Sequence, residues 1–266
     1  MTSSALDTVL TDLEAESALL DGWVADLDAA GWATVTTPEG WTVAHQVAHL
    51  HWTDAMSLDA VIDPDAFGRT LRAAAEQADG FVDREADRLA ALDPDDLLDR
   101  WRSGRRMLAS ALRGVPDGTK VPWFGPPMGA ASMATARFME TWAHAHDVAE
   151  ALGHPYPRRD SVRHVAHLGI RTRPFAYGVR GLPVPDEDVR VELRSPSGET
   201  WTWGPTWATQ RVTGDAYDFA LLATRRRHPD DVDVRAEGVH AAQWLTIVQA
   251  FAGAPGNDPK PRGGRP

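Results

Sequence analysis

The chain has 266 residues, of which 43% are hydrophobic and 24% charged, an ordinary globular composition with length for one or two domains. Its formal net charge of −11 argues against nucleic acid or an anionic membrane surface as the main partner, and no apolar run approaches the ~18 residues of a membrane span. Cysteine is absent, which excludes disulfides, Cys-ligated zinc, iron–sulfur clusters and a cysteine nucleophile, so any thiol chemistry must bring its thiol on a cofactor.

Met1 to Ala5 has neither a basic n-region nor an apolar h-region, so no signal peptide is expected and the expected setting is cytoplasmic. Leu6, Leu10, Leu13, Leu19, Leu20, Trp23 and Leu27 recur at roughly helical spacing and predict a first helix from Ser3 to Ala30, stopped by Gly31. A second helix is predicted from Thr42 to Ile62. Asp63-Pro64 then opens helical composition that runs to Leu92, with Gly80 as an interruption, and Asp93-Pro94 repeats the device for a helix to Leu112. Gly114 to Gly129 is a Pro/Gly-rich loop, and a fifth helix spans Ala131 to Leu152 and ends at Gly153. Short connections between such helices imply an antiparallel bundle.

From Ser161 to about Gly181 the pattern is again helical. Val189 to Leu193 and Thr200 to Trp203 alternate around Ser197-Gly198, a hairpin signature. Helical patterns follow at Asp215–Arg226 and Val239–Phe251. The domain reading is a helical bundle over 1–155, a small α+β domain over 156–252, and a disordered Gly/Pro-rich tail over 253–266. No phosphate-binding loop and no dinucleotide fingerprint occur.

Most of the ten histidines need no ligand to explain them. Glu140 and His144 lie four apart, so on a helix a carboxylate oxygen and an imidazole nitrogen project from one face and can meet one ion. His45 and His49 share a face of the second helix, flanked by Val43, Val47 and Leu50. A histidine on a half-buried bundle face needs partners for its ring nitrogens. A metal held by His49, Glu140 and His144 would satisfy that need. Three protein ligands with an open position is the catalytic pattern for zinc. His51 and His146 point away from this face. Asp147 can orient a ligand ring, although a solvated acid is the simpler reading, and Trp52 and Trp142 read as core. His164 and His167 lack a companion acid, and Arg225-Arg226-Arg227 reads as surface charge. Arg171 and Arg173 are candidates for binding a carboxylate of substrate or cofactor.

Gly40-Trp41-Thr42-Val43 through His49-Leu50, with Arg137-Phe138-Met139-Glu140-Thr141-Trp142-Ala143-His144, resembles the mycothiol-dependent maleylpyruvate isomerase family of DinB-like metal-binding four-helix bundles. The loop Trp123 to Gly129 and the segment His164 to Arg173 are closest to an actinobacterial branch described only as metal-binding. The resemblance implies a mainly α fold, an N-terminal DinB-like antiparallel four-helix bundle followed by a small α+β sterol-carrier-like domain. It also implies a metal triad on His49, Glu140 and His144. Where the family has Asp four residues before the ligand histidine, this chain has His45. Histidine there can serve as a fourth ligand, as a base or in the ligand's surroundings, and it is the candidate catalytic residue.

The expected function is a divalent-metal enzyme, with zinc as the metal, that binds a low-molecular-weight thiol such as mycothiol as thiolate. It would isomerise a small electrophilic substrate or transfer the thiol to it. The alternatives are a hydrolase using metal-bound water and a non-catalytic module that binds an apolar ligand. The expected partners are a small-molecule substrate and the thiol cofactor, with no nucleic acid and no membrane, in a monomer or homodimer.

Overall fold

Several helix starts in this chain are set by side chains that take up the orphan N–H groups of the first turn. In the computed structural model, which describes residues 4–76, 80–254 and 258–262, α1 (Ala5–Val24) begins where the Ser4 side chain accepts the Asp7 N–H. It is shorter than the predicted Ser3–Ala30. Asp28 opens a separate turn, α2 (Ala29–Trp32), by accepting the Gly31 N–H at 2.8 Å. Gly31 is therefore not the stop of α1. A side chain there would press on Leu27, whose Cδ2 lies 2.9 Å from the position of a Cβ.

The chain divides into two units, Met1–Tyr156 and Pro157–Pro266. In the first, α3 (Val43–Ile62) is followed by α4 (Pro64–Glu76) and α5 (Phe81–Ala90), then by α6 (Pro94–Arg113) and α7 (Ala130–Leu152). The Asp93-Pro94 device works as its chemistry dictates: the Asp93 side chain accepts the Asp95 N–H at 3.0 Å, and proline occupies the first turn. Gly153, at φ 72°, ends α7 in the left-handed conformation that glycine tolerates.

Helices α1, α3, α6 and α7 pack on one another as the antiparallel DinB-like bundle, while α4 and α5 lie against α3. The core joins Leu20, Val24, Val47, Leu50, Leu97, Trp101 and Val148. Burial of each such large side chain stabilises by about 1.5 to 3 kcal/mol. Two loops are pinned by short antiparallel bridges, Val35 to Thr42 and Val121 to Met128. The first carries Thr36 and Trp41 at the entrance to α3. The second carries Trp123 and Phe124, which pack on Phe67, with Phe124 also against Trp52. Among the described residues no helix is long and apolar enough to cross a membrane.

The second unit is α+β. The predicted helix from Ser161 breaks into α8 (Arg163–Arg171) and α9 (Arg173–Gly178), with Pro174 in the first turn of α9. The predicted hairpin is present as β1 (Val189–Arg194) and β2 (Thr200–Trp203), antiparallel with Val191 opposite Trp203. Two further strands were not expected, β3 (Gln210–Asp215) and β4 (Val234–Glu237). The sheet order is β2-β1-β3-β4, with β1 and β3 parallel and Val191 opposite Val212. Gly214 in β3 sits against the neighbouring strand, where a Cβ would fall 2.1 Å from the Asp233 carbonyl oxygen. Helices α10 (Ala216–Ala223) and α11 (Val239–Ile247) are shorter than predicted. Asp215 caps α10 by accepting the Tyr217 and Asp218 N–H groups. The tail expected to be disordered, 253–266, falls partly outside the described residues; within it the Arg262 N–H donates to Asp231 at 2.9 Å.

Helices α8 and α10 meet at Gly169, where a Cβ would lie 2.8 Å from Ala223 Cβ and 3.4 Å from the Phe219 ring. Overpacking such a contact forces off-rotamer side chains and backbone shifts. Gly169→Val is expected to lower the urea unfolding free energy by about 1 to 3 kcal/mol. An unchanged midpoint would show that this close approach is not needed.

Candidate metal centre

The packing of α3 against α7 brings together one histidine from the first helix and a carboxylate–histidine pair from the second. Glu140 Oε2 lies 3.3 Å from His144 Nε2 and 3.5 Å from His49 Nε2. The two imidazole rings are 4.5 Å apart. One ligand atom from each of the three residues fits within 4.8 Å of the others. A tetrahedral zinc site with arms of 2.0–2.1 Å has ligand–ligand edges of about 3.3 Å, close to both measured separations. The histidines are buried, 9% and 8% exposed, so their ring nitrogens cannot rely on bulk water.

The protonation pattern around the group defines what it can hold. His144 Nδ1 lies 2.5 Å from Gln46 Oε1 and 3.9 Å from Asp147 Oδ2. Both neighbours are acceptors, so Nδ1 carries a proton and donates it to the Gln46 oxygen. In the neutral ring Nε2 then has a lone pair, and that lone pair faces a carboxylate oxygen. Lone pair against lone pair is repulsive unless a proton or a metal cation lies between them. With a proton in that place, hydrogen bonding from His144 and His49, together with the Arg137 charge, holds the Glu140 carboxyl well below the usual carboxylate range, although burial by itself would raise it. Two imidazole nitrogens and an ionised carboxylate form a donor set suited to zinc or a similar divalent ion.

Aromatic and cationic side chains enclose the group. The Trp41 ring lies 5.4 Å from His49 and stacks on His144 at 5.9 Å, held by an Nε1–H bond to Asp83 of 3.1 Å. Trp52 lies 6.1 Å from His49. Arg137 is buried, with Nη2 3.9 Å from Glu140 Oε1 and its guanidinium 5.2 Å from the Trp123 ring. Its Nε and Nη1 and the His49 Nδ1 are buried without a hydrogen-bond partner among the described residues.

The structure does not bring His45 into this group. Its Nδ1 accepts the Thr42 N–H at 3.2 Å, closing a capping box at the start of α3, and its Nε2 lies 3.1 Å from Asp87 on α5. Both ring nitrogens are committed. An aspartate at this third helical position could accept the same N–H. Arg171 and Arg173 lie in the second unit. Arg171 is exposed on α8, whereas Arg173 donates to the Pro185 carbonyl at 3.2 Å and rests over Tyr177. His51 lies beside Gly104 of α6, and His146 stacks on Tyr156. His167 accepts a bond from Trp203 Nε1 of 3.2 Å. Gln46, Arg137 and Asp54 were not singled out from the sequence. The one signal for Gln46 was an amide on an apolar helix face, three residues before His49.

The family profile described as the mycothiol maleylpyruvate isomerase N-terminal domain matches residues 13–149. A second profile, described as wyosine base formation, matches residues 185–237. Two relatives from Mycobacterium tuberculosis, each called an uncharacterized protein, come from strains CDC 1551 / Oshkosh and ATCC 25618 / H37Rv. Each is 55% identical over 247 residues, spanning 93% of this chain and 96% of its own. Among solved structures, those of the mycothiol-dependent maleylpyruvate isomerase and of a histidine-to-alanine mutant of it align with a TM-score of 0.55 at 18% identity. The alignments cover 90% of this chain and 98% of theirs. At that identity the likeness is one of fold.

Asp54, five residues after His49, is fully buried and its carboxyl is pushed up to about 6. Burial is the main cause and the Glu140 charge adds to it, against the pull of Arg137 and Arg105. A carboxyl raised in the folded state keeps its proton where the unfolded chain has lost it. Stability therefore falls as pH rises from the ordinary carboxylate range through about 6, and stays lower above it. Asp54→Asn removes this titration. The metal-free variant is expected to be more stable than wild type at pH 7.5 by an amount on the order of 2 kcal/mol, with no gain at pH 4. Urea unfolding at the two pH values checks this, and a variant less stable than wild type at pH 7.5 would contradict it.

Proposed function

The chain belongs to the family of the mycothiol maleylpyruvate isomerase N-terminal domain, and from that premise we propose that it is a metal- and thiol-dependent isomerase or S-transferase. His49, Glu140 and His144 hold one divalent ion, zinc by the character of the donor set. A low-molecular-weight thiol of the mycothiol kind is the cofactor, and a small electrophile is the substrate. The observation that carries the reading is the convergence of two imidazole Nε2 atoms on one buried carboxylate oxygen, at 3.3 and 3.5 Å.

When bound, a divalent ion on this set supplies a positive charge that lowers the pKa of an adjacent thiol and favours thiolate at neutral pH. The chain's own residues prepare for that charge. Two neutral imidazoles and one carboxylate bring only one negative charge, so the set leaves a divalent ion with net positive charge and a use for an anionic partner. Trp41, packed on both histidine rings, shields them from water, which strengthens the electrostatics within. The absence of cysteine is in keeping with a thiol supplied from outside the chain. His45 acts in this reading through the start of α3 rather than by taking a proton. A cytoplasmic setting suits a thiol that must stay reduced.

Two measurements test the proposal together. Elemental analysis of purified protein should find about one divalent metal per chain, with most of it lost in His49→Ala and in His144→Ala, because two remaining ligands hold zinc poorly. Turnover of a small cis-unsaturated carboxylic acid should require added mycothiol. A thiol returned unchanged marks the isomerase, and stoichiometric consumption marks the S-transferase. Full metal occupancy in both variants would overturn the ligand set, and turnover independent of thiol would replace the proposal with a hydrolase.

A further inference from the structure

The interior of the first unit contains a row of hydrogen bonds whose direction is fixed at one end. The Trp41 backbone carbonyl can only accept. It takes the Thr36 N–H at 2.8 Å and the Thr36 Oγ1–H at 3.0 Å. A hydroxyl has one proton, so Thr36 Oγ1, having given it to Trp41, must act as acceptor toward its next neighbour. That neighbour is Gln46 Nε2, at 2.7 Å, which therefore is the amide nitrogen. The other end of the same amide is then the oxygen, and it is the oxygen that meets His144 Nδ1. Gln46 is fully buried and Thr36 is 5% exposed, so water does not readily compete for these bonds.

We propose that Gln46 is a positioning residue for His144 and that Thr36 sets its polarity. Through two side chains, the Trp41 carbonyl selects the His144 tautomer that is protonated at Nδ1 and donates its lone pair from Nε2 toward Glu140. Asp147 Oδ2, 3.9 Å from the same Nδ1, acts in the same sense. His49 has no corresponding device, since its Nδ1 lacks a hydrogen-bond partner among the described residues. His144 is thus the ligand prepared in advance, and His49 the one that adjusts. The consequence for metal binding rests on the metal reading above; the tautomer assignment does not. Outer-shell partners that fix a histidine tautomer typically affect metal affinity 10- to 100-fold.

Replacement of a side chain that touches neither the ion nor its ligands separates this relay from simple packing. Thr36→Val keeps the shape, removes the hydroxyl and frees Gln46 to turn over; Thr36→Ser keeps the hydroxyl. Long-range 15N–1H correlation spectra of the metal-free protein, at a pH where the ring is neutral, read the His144 tautomer directly. Zinc affinity is read by competition with a chromophoric chelator, and circular dichroism controls for folding. In wild type and Thr36→Ser, His144 should be protonated at Nδ1. In Thr36→Val and in Gln46→Met the tautomers should mix, and zinc affinity should fall by about tenfold or more. A wild-type His144 protonated at Nε2, or a folded Thr36→Val with unchanged tautomer and unchanged zinc affinity, would overturn the relay. If no form of the protein binds zinc, the metal reading fails, while the spectra still decide the relay.

Discussion

A carboxylate oxygen that faces two imidazole nitrogens inside a helical bundle sets the terms for the first unit of this protein. Glu140 Oε2 has His144 Nε2 at 3.3 Å and His49 Nε2 at 3.5 Å, and the histidines are largely removed from water. Such an arrangement of acceptors draws positive charge to its centre, and a divalent metal ion supplies it. Much of the surrounding structure serves to keep the three side chains in that confrontation. Glu140 and His144 share a face of α7, and α3 packs against that helix. The start of α3, where His45 closes the capping box, is tied to α5 through Asp87 and Asp83.

The electrostatics beyond His49, Glu140 and His144 are arranged in layers. Arg137 is buried beside Glu140, 3.9 Å from Oε1, and opposes protonation of that carboxylate. Asp54 is buried in the same region, and its carboxyl is pushed up toward neutrality by burial and by the Glu140 charge. Two carboxyl groups in one interior thus differ in state, Glu140 ionised and Asp54 shifted toward its neutral form. The difference lies in their neighbours: Glu140 faces two histidines and Arg137 directly, whereas Asp54 feels Arg137 and Arg105 against full desolvation.

Sequence pattern located α3, α6 and α7 within a residue or two, because long helical segments with Asp-Pro and Gly boundaries carry a strong local signal. The Glu140/His144 pair was legible from its i,i+4 spacing alone. His49 was legible as a third member because a histidine on an apolar-flanked helix face needs partners for its ring nitrogens, and the resemblance to a known family pointed to the same residues. The capping role of His45 escaped notice because the usual box has Glu or Gln at that position. Gln46 escaped because its partners, Thr36 and His144, are 10 and 98 residues away. In the second unit β3 and β4 were missed: Gln210–Asp215 and Val234–Glu237 are short and rich in charged or polar residues. They become strands through pairing with β1 and with each other rather than through their own pattern.

The central claim is that this group is a divalent-metal centre with a position open to a thiolate. X-ray absorption at the zinc edge of the zinc-loaded protein tests it most directly. A first shell of two imidazole nitrogens and light oxygen donors at about 2.0–2.2 Å is predicted, joined on addition of mycothiol by one sulfur at about 2.3 Å. A spectrum without imidazole scattering, or one in which saturating mycothiol adds no sulfur, would contradict the account.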